Sequence, residues 1–348
     1  MRKILLMMII ALALAAAACK DKVMTWTAVE DSAFGTTNIR AIAYGNNRFV
    51  VGGENGKIAY SKDGVTWTAV ADNVIWEYPT NGEGDKTANI NAITYGGGKW
   101  VAGGNNGKMA YSDDGVTWTA VADSTFGDNS VFAIACGNNK WVAVGDDCKM
   151  AYSDDGISWT AVSNNPFLDK YDPLFSYFNY IGDIAYGNNK WVAGGNDGKM
   201  AYSDDGETWT AVADSAFDSG IWAETITAIA YGSDGNAVNR FVAGGNNGKI
   251  AYSDDGETWT AVANSTVWGD YQSEVFGTLP AYICAIAYGN NRFVAVGING
   301  KTAYSANGIT WPPVPDSAIG NNTIIAIAYG NKRFVAVGEN GKIAYADW

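Results

Sequence analysis

A fourteen-residue stretch, KIAYSDDGETWTAV from Lys249 to Val262, recurs with few changes along this chain and dictates what it can fold into. Versions begin at Lys57, Lys108, Lys149, Lys199, Lys301 and Lys342, and each follows a second pair of apolar runs such as AIAYGNNRFVAVG, Ala285 to Gly297. Each half reads as strand, tight turn, strand, so seven modules of four short strands lie end to end. A period of roughly 40 to 50 residues describes a unit that cannot bury its apolar face alone and must stack on its neighbours, as in a propeller or a solenoid. The 42 glycines and 13% aromatics suit many short strands joined by tight turns, which favours one closed repeat domain over the two domains that 348 residues would otherwise suggest.

The ends of the repeat decide between an open stack and a ring. Met24 to Val29, MTWTAV, is a lone fourth strand with no module before it, whereas the seventh module stops at KIAYADW, Lys342 to Trp348, without one. Moving the first piece to the last module closes a seven-bladed, all-β propeller of four-stranded antiparallel blades and removes both open edges. The domain therefore spans residues 24–348.

Within a module the first strand follows the pattern I-x-A-I-A-Y, small or apolar on both faces, as expected where neighbouring blades converge on an axis. The fourth copy departs from it, with Gly182 and Asp183 in the middle positions. The second strand carries Phe49, Trp100, Trp141, Trp191, Phe241, Phe293 or Phe334, and the fourth Trp26, Trp67, Trp118, Trp159, Trp209, Trp259 or Trp311. Large rings at equivalent positions fill the wedge that widens outward between blades. Asn-Gly or Asp-Gly pairs such as Asn55-Gly56 and Asp197-Gly198 mark hairpins that need positive φ. Cys148 stands at that glycine position in the third module, where a side chain is strained.

The turn between strands three and four, S-D-D-G-x-[TS]-W at Ser112, Ser153, Ser203 and Ser253 with variants at Ser61 and Ser305, resembles the Asp-box, or BNR, repeat of sialidases and other propellers. It is one residue shorter between the Asp and the Gly than the usual S-x-D-x-G-x-T-W. The resemblance implies a structural hairpin away from the active face, braced by its Ser and Asp. It also raises the question of glycoside hydrolysis, because sialidases of that family hold the substrate carboxylate with three arginines. Past the first 19 residues this chain has only Arg40, Arg48, Arg240, Arg292 and Arg333, and four of these recur at the start of second strands, on the opposite face. No triad assembles.

Other chemistry is narrowly bounded. With no histidine, His-based triads and His-ligated metals are excluded, and the D-D-G turns lack the alternate ligands of a calcium loop. No metal and no cofactor is expected. A carboxylate pair at the channel mouth of a hydrolase or lyase stays open as an alternative, with Glu77, Glu83, Asp85, Asp169, Asp172, Glu224, Glu274 and Asp183 as candidates. Cys136, Cys148 and Cys284 have no metal-like spacing and read as free thiols.

The loops linking one module to the next are where repetition stops. Four are long, 71–89, 163–180, 213–225 and 263–282, and rich in aromatics. Trp76, Tyr78, Tyr171, Tyr177, Trp222, Trp268 and Tyr271 are the candidate ligand-binding residues, since variable aromatic loops on one face of a rigid scaffold suit glycan or protein recognition. No catalytic residue is assigned. An assembly factor for an envelope protein is the third function class.

The first residues carry an address. Arg2 and Lys3 precede an uncharged run, Ile4 to Ala18, that is too short to span a bilayer and reads as an export signal. AAAC, Ala16 to Cys19, resembles a bacterial lipobox, which implies acylation of Cys19 and leaves residues 20–23 as a tether. The alternative is cleavage at an A-x-A site, with a secreted or periplasmic product. Losing the two cations and no carboxylate takes the formal charge from −13 to −15, a field that repels nucleic acid and anionic lipid. Membrane contact is then expected only through the lipid, at the cell envelope or surface, and the domain is expected to be a monomer.

Overall fold

A computed structural model describes residues 24–71, 74–78, 86–168, 179–217, 224–233, 235, 238–263, 268, 271–273, 277–279, 281–312 and 318–347. Among the described residues, seven antiparallel sheets of three or four strands are the blades of a propeller. In each, the inner strand (Ile39–Gly45 in blade one, Ile324–Gly330 in blade seven) pairs with a second (Arg48–Gly53, Arg333–Gly338) and that with a third (Ile58–Ser61, Ile343–Asp347). A two-residue outer strand such as Thr68–Ala69 completes blades one to five. Closure is as the ends of the sequence require. Trp26–Ala28 forms the outer strand of blade seven, with Trp26 opposite Ala346 and Ala28 opposite Ala344.

Blade six differs. Its sheet has three strands among the described residues, Ile283–Gly289, Arg292–Gly297 and Thr302–Ser305. Where the other modules have Thr-Ala after the tryptophan, this one has Pro312-Pro313. Proline has no N–H to give to a ladder. Among the described residues, five blades carry a Thr-Ala outer strand besides the closing strand.

The seams between blades hold the core. The second-strand aromatics and the outer tryptophans are buried, and each seam collects residues of two adjacent blades, as where Val50 packs with Ile90, Trp100 and Trp118. The strand two-to-three turns adopt the backbone their Asn-Gly pairs imply, with Asn55 at φ 58° and Gly56 at φ 64°. Cys148 is forced to φ 52° at the same place.

The two ends of the ring are built differently. At the end holding the strand three-to-four turns, every second strand opens with a cation lying over the third-strand tyrosine, for example Lys190 at 4.6 Å from the Tyr202 ring and Arg333 at 4.6 Å from Tyr345. The same cations reach the next blade's turn: Arg333 donates to the Asp63 carbonyl at 2.6 Å, Arg240 to the Asn307 carbonyl at 2.7 Å and Lys190 to Glu257 at 2.6 Å. That end is a belt of repeated contacts. The other end carries the linking loops.

Candidate functional site

At the loop end, each inner strand begins with a β-bulge. Ile39 lies opposite Gly53 and Ala41 opposite Gly52, so residue 40 has no partner, and the irregularity recurs in all seven blades. A bulge re-aims the side chain it carries. Here it turns the second residue of each strand toward the axis, where Arg40, Asn91, Phe132, Gly182, Thr227, Cys284 and Ile325 line a cavity of about 290 Å³ together with Asp183. This ring was not singled out from the sequence, yet its signal was there. It is the x of I-x-A-I-A-Y, the one position in that pattern filled by a different residue in every blade.

The ring's polar members are already engaged. The Asn91 amide donates to the carbonyl of Val131, the first residue of the next inner strand, at 3.2 Å, and the Thr227 hydroxyl donates in the same manner to Ile283. Arg40 Nη2 lies 2.6 Å from Glu54, which Asn38 also reaches at 3.0 Å. Burial pushes the Glu54 carboxyl up, but the bonds from Arg40 and Asn38 outweigh it and hold the group below its ordinary range. Burial pushes the Cys284 thiol up to about 12, so it stays protonated and unreactive. Phe132 meets Tyr180 edge-on, centroids 5.5 Å apart.

Asp183 is the exception to the repeat. Part of it touches the cavity while protein encloses the carboxylate. The Ile184 N–H donates to Oδ1 at 2.8 Å and the Ile229 N–H of the next blade to Oδ2 at 2.6 Å. Burial raises its pKa to about 7 against the opposing pull of those two amides. The six other blades carry alanine at this place: Ala41, Ala92, Ala133, Ala228, Ala285 and Ala326.

Two of the aromatic candidates belong to the core. Trp76 is fully buried and Trp268 nearly so, at 2% exposure, which corrects the expectation that they face a ligand from loops outside the blades. Trp76 packs with Ile90, Ile93 and Trp100, and Trp268 with Ile283, Ile286 and Phe293. A Cβ on Gly56 would fall 2.6 Å from that of Trp76, and one on Gly248 2.2 Å from that of Trp268, so the glycines of the facing turns admit the indoles. Phe34, Phe126, Phe167, Phe217 and Ile319 are buried at the start of the other linking loops, so every loop drives one large side chain into the core. A short motif announces four of them: Asp-Ser-Ala-Phe at Asp31 and Asp214, Asp-Ser-Thr-Phe at Asp123 and Asp-Ser-Ala-Ile at Asp316. The Asp31 and Asp214 side chains accept the N–H of Ala33 and Ala216, which sit at φ 63° and 61°. Tyr78 and Tyr271 lie in two short hairpins on the loop face, Glu77–Tyr78 with Lys86–Thr87 and Tyr271–Ser273 with Gly277–Leu279. Tyr171, Tyr177 and Trp222 lie outside the described residues, as do Cys19, Glu83, Asp85, Asp169, Asp172 and Glu274.

A family model described as the DUF6242 β-propeller domain matches residues 70–321. No curated protein matches the chain. Among solved structures, the fold is similar to YCF48 bound to D1 peptide at 16% identity, covering 94% of this chain and 96% of that one with a TM-score of 0.63. It is similar to YCF48 from Cyanidioschyzon merolae at 17% identity, 92% and 98% coverage and a TM-score of 0.64. Catalytically inactive virginiamycin B lyase from Staphylococcus aureus with quinupristin gives 11% identity, 93% and 99% coverage and a TM-score of 0.67. At these identities the likeness is one of fold.

Proposed function

The chain belongs to the DUF6242 β-propeller family, and from that premise we propose that it is a binding module whose loop face recognises a protein partner at the cell envelope and performs no chemistry of its own. The observation that carries this reading is where the chain varies. One end repeats the same cation, tyrosine and turn around the ring, whereas the bulge positions and linking loops at the other end differ from blade to blade. A surface that varies on a scaffold that does not is the arrangement of recognition. A glycan is the weaker choice of partner, because Trp76 and Trp268, which would stack on sugar rings, are buried. A carboxylate-based hydrolase needs two acidic groups across the bond, and among the described residues lining the cavity Asp183 is the one carboxylate. The likeness to a propeller solved with a bound peptide supports a protein partner, and assembly of an envelope protein is one use such binding would serve. Export and acylation at Cys19 would place the domain on a membrane surface. The Ser–Asp turns do the bracing work that the Asp-box resemblance implies, and we read them as that repeat.

Site-specific photo-crosslinking tests this. With a crosslinker at Glu77, exposed on the loop face, the full chain should capture an envelope protein that a crosslinker at Asp113, exposed at the opposite end, does not. Equal capture from both, or capture from Asp113 alone, overturns the reading.

A further inference from the structure

The closing strand fixes which end of the ring the first residues leave from. Trp26 lies opposite Ala346 and Ala28 opposite Ala344 in antiparallel register, and the third strand of blade seven ends at Asp347, paired with Arg333 in the belt. The chain therefore enters the closing strand at the belt end and runs toward the linking loops. Aligned on Thr-Trp-Thr-Ala, Met24 stands where blade five has Glu257, a belt residue bonded to Lys190. Cys19 precedes Met24 by five residues, so the chain between them spans at most about 18 Å even when fully extended. An inner strand such as Ile39–Gly45 is itself about 20 Å long, and the linking loops lie at its far end. A group attached at Cys19 thus cannot be drawn back along a blade and past the loops; it reaches a membrane from the belt end.

Resting on the reading of Cys19 as an acylated anchor, we propose that the belt end is the membrane-proximal surface of the propeller and that the loop face is turned to the aqueous side, where it meets an extramembrane segment of its protein partner. The chemistry of the belt suits a headgroup layer and not the hydrocarbon beneath it. Asp113, Asp154, Asp204, Asp254 and Asp347 are exposed there, each paired with the cation that opens its own blade's second strand. Such pairs are costly to take out of water, so the belt does not sink past the headgroups. The acidic field of the chain beyond Cys19 also keeps it from adsorbing to anionic lipid. The short tether, and not adhesion, then sets the orientation.

Energy transfer to the membrane surface tests this. The full chain, purified with its lipid and reconstituted into phosphatidylcholine vesicles that carry an acceptor dye on their headgroups, bears a donor at one of four exposed positions. Asp347 and Asn321 mark the belt and loop ends of blade seven, and Asp154 and Asp128 the same ends of blade three, across the ring. With a strand length between the two ends, transfer from each belt-end donor should exceed that from its loop-end counterpart by at least about twofold. Equal transfer from the two ends of blade three would mean a ring lying on its rim, and greater transfer from Asn321 and Asp128 a loop face against the lipid; either overturns the proposal. Twenty glycine and serine residues inserted between Val23 and Met24 lengthen the tether to an average span of about 25 to 30 Å and should level the difference. A difference that survives this insertion unchanged shows that the surface and not the tether orients the ring, and overturns the proposal too. Cys19→Ser should stay out of the vesicles. If the parent stays out as well, the anchor reading falls and the orientation with it, while crosslinking from Glu77 still decides the loop-face reading by itself. In whole envelopes the peptide captured from Glu77 should lie outside any membrane-spanning segment, and capture within one overturns the aqueous placement of the loop face.

Discussion

Asp183 and Trp76 show how a single position can mean more, or less, than its residue type suggests. Asp183 has a folded pKa of about 7 against an ordinary 3.8. The raised value means the folded state favours the protonated form, so the contribution is fully present below the unfolded pKa and is lost as pH rises through the folded one. The parent domain should therefore lose stability relative to Asp183→Ala as pH rises from about 4 to 7, with the variant the more stable at pH 8. Urea unfolding of both proteins at pH 4, 6 and 8 checks the crossover, and parallel curves would show that the carboxylate is not desolvated as described. Trp76 runs the other way, since a loop tryptophan that reads as a ligand contact is part of the core. Trp76→Ala should cost about 3 to 5 kcal/mol. A loss below about 1 kcal/mol would mean that the seam closes without it.

At the scale of the element, the Ser–Asp turn is the most regular device in the chain and the one that ties stability to acid. In blade five the Ser253 hydroxyl accepts the Gly256 N–H at 2.8 Å, and Asp255 Oδ1 accepts the N–H groups of Glu257 and Thr258 at 2.8 and 2.7 Å. Burial pushes the Asp255 carboxyl up, but those N–H groups and the Ser253 hydroxyl outweigh it and hold it at about 2. Asp63, Asp114, Asp155 and Asp205 are lowered by the same balance. A depressed folded pKa contributes stability that is present above the unfolded value and lost as pH falls through the folded one, so the domain should weaken between about pH 4 and pH 2. Blade six supplies the control, for Asn307 accepts the Ile309 and Thr310 N–H groups at 2.9 and 3.0 Å without titrating. Changing all five aspartates to asparagine should flatten the acid limb of the stability curve, and an unchanged limb would place the acid sensitivity elsewhere. These turns were legible because their chemistry is local: Asn-Gly demands positive φ, and Ser and Asp bond to amides two or three residues on. The bulge ring was harder to read, since the aim of Arg40 or Phe132 depends on an unpaired residue in a ladder and not on the residue's own character. The large side chain that each loop buries was missed or misassigned because a Phe, Trp or Ile among polar residues gives no hint of its direction, and the Asp-Ser-Ala-Phe recurrence lay across segments that otherwise do not repeat. Pro312 could have been read beforehand, as a donor missing from an outer strand.

For the whole molecule the governing fact is that a ring has no ends. Trp26 and Met24 are buried in the seam with Ile319, Phe334, Ala344 and Ala346, and the Val29 N–H donates to the Ile343 carbonyl at 2.8 Å beyond the last strand pair. The strand that joins first blade to last thus covers both an open edge and one apolar wedge, and every other seam depends on the ring staying closed. Deleting residues 24–29 removes the buried Trp26 and Met24 together, and a single buried tryptophan is already worth about 3 to 5 kcal/mol. For a domain whose total margin is of the order of 5 to 15 kcal/mol, that is a large share, so the deletion should lower the thermal midpoint by about 5 to 15 °C or leave the chain prone to pairing edge to edge. Joining the same six residues after Trp348 through a short glycine-containing turn returns the strand to blade seven by a different route and should recover most of the loss. Thermal scans of parent, deletion and permuted chain give the comparison. A deletion that melts with the parent would show that blade seven holds the ring shut with three strands, whereas a permuted chain that fails to recover would show that the strand contributes through its covalent order and not through the edge it covers.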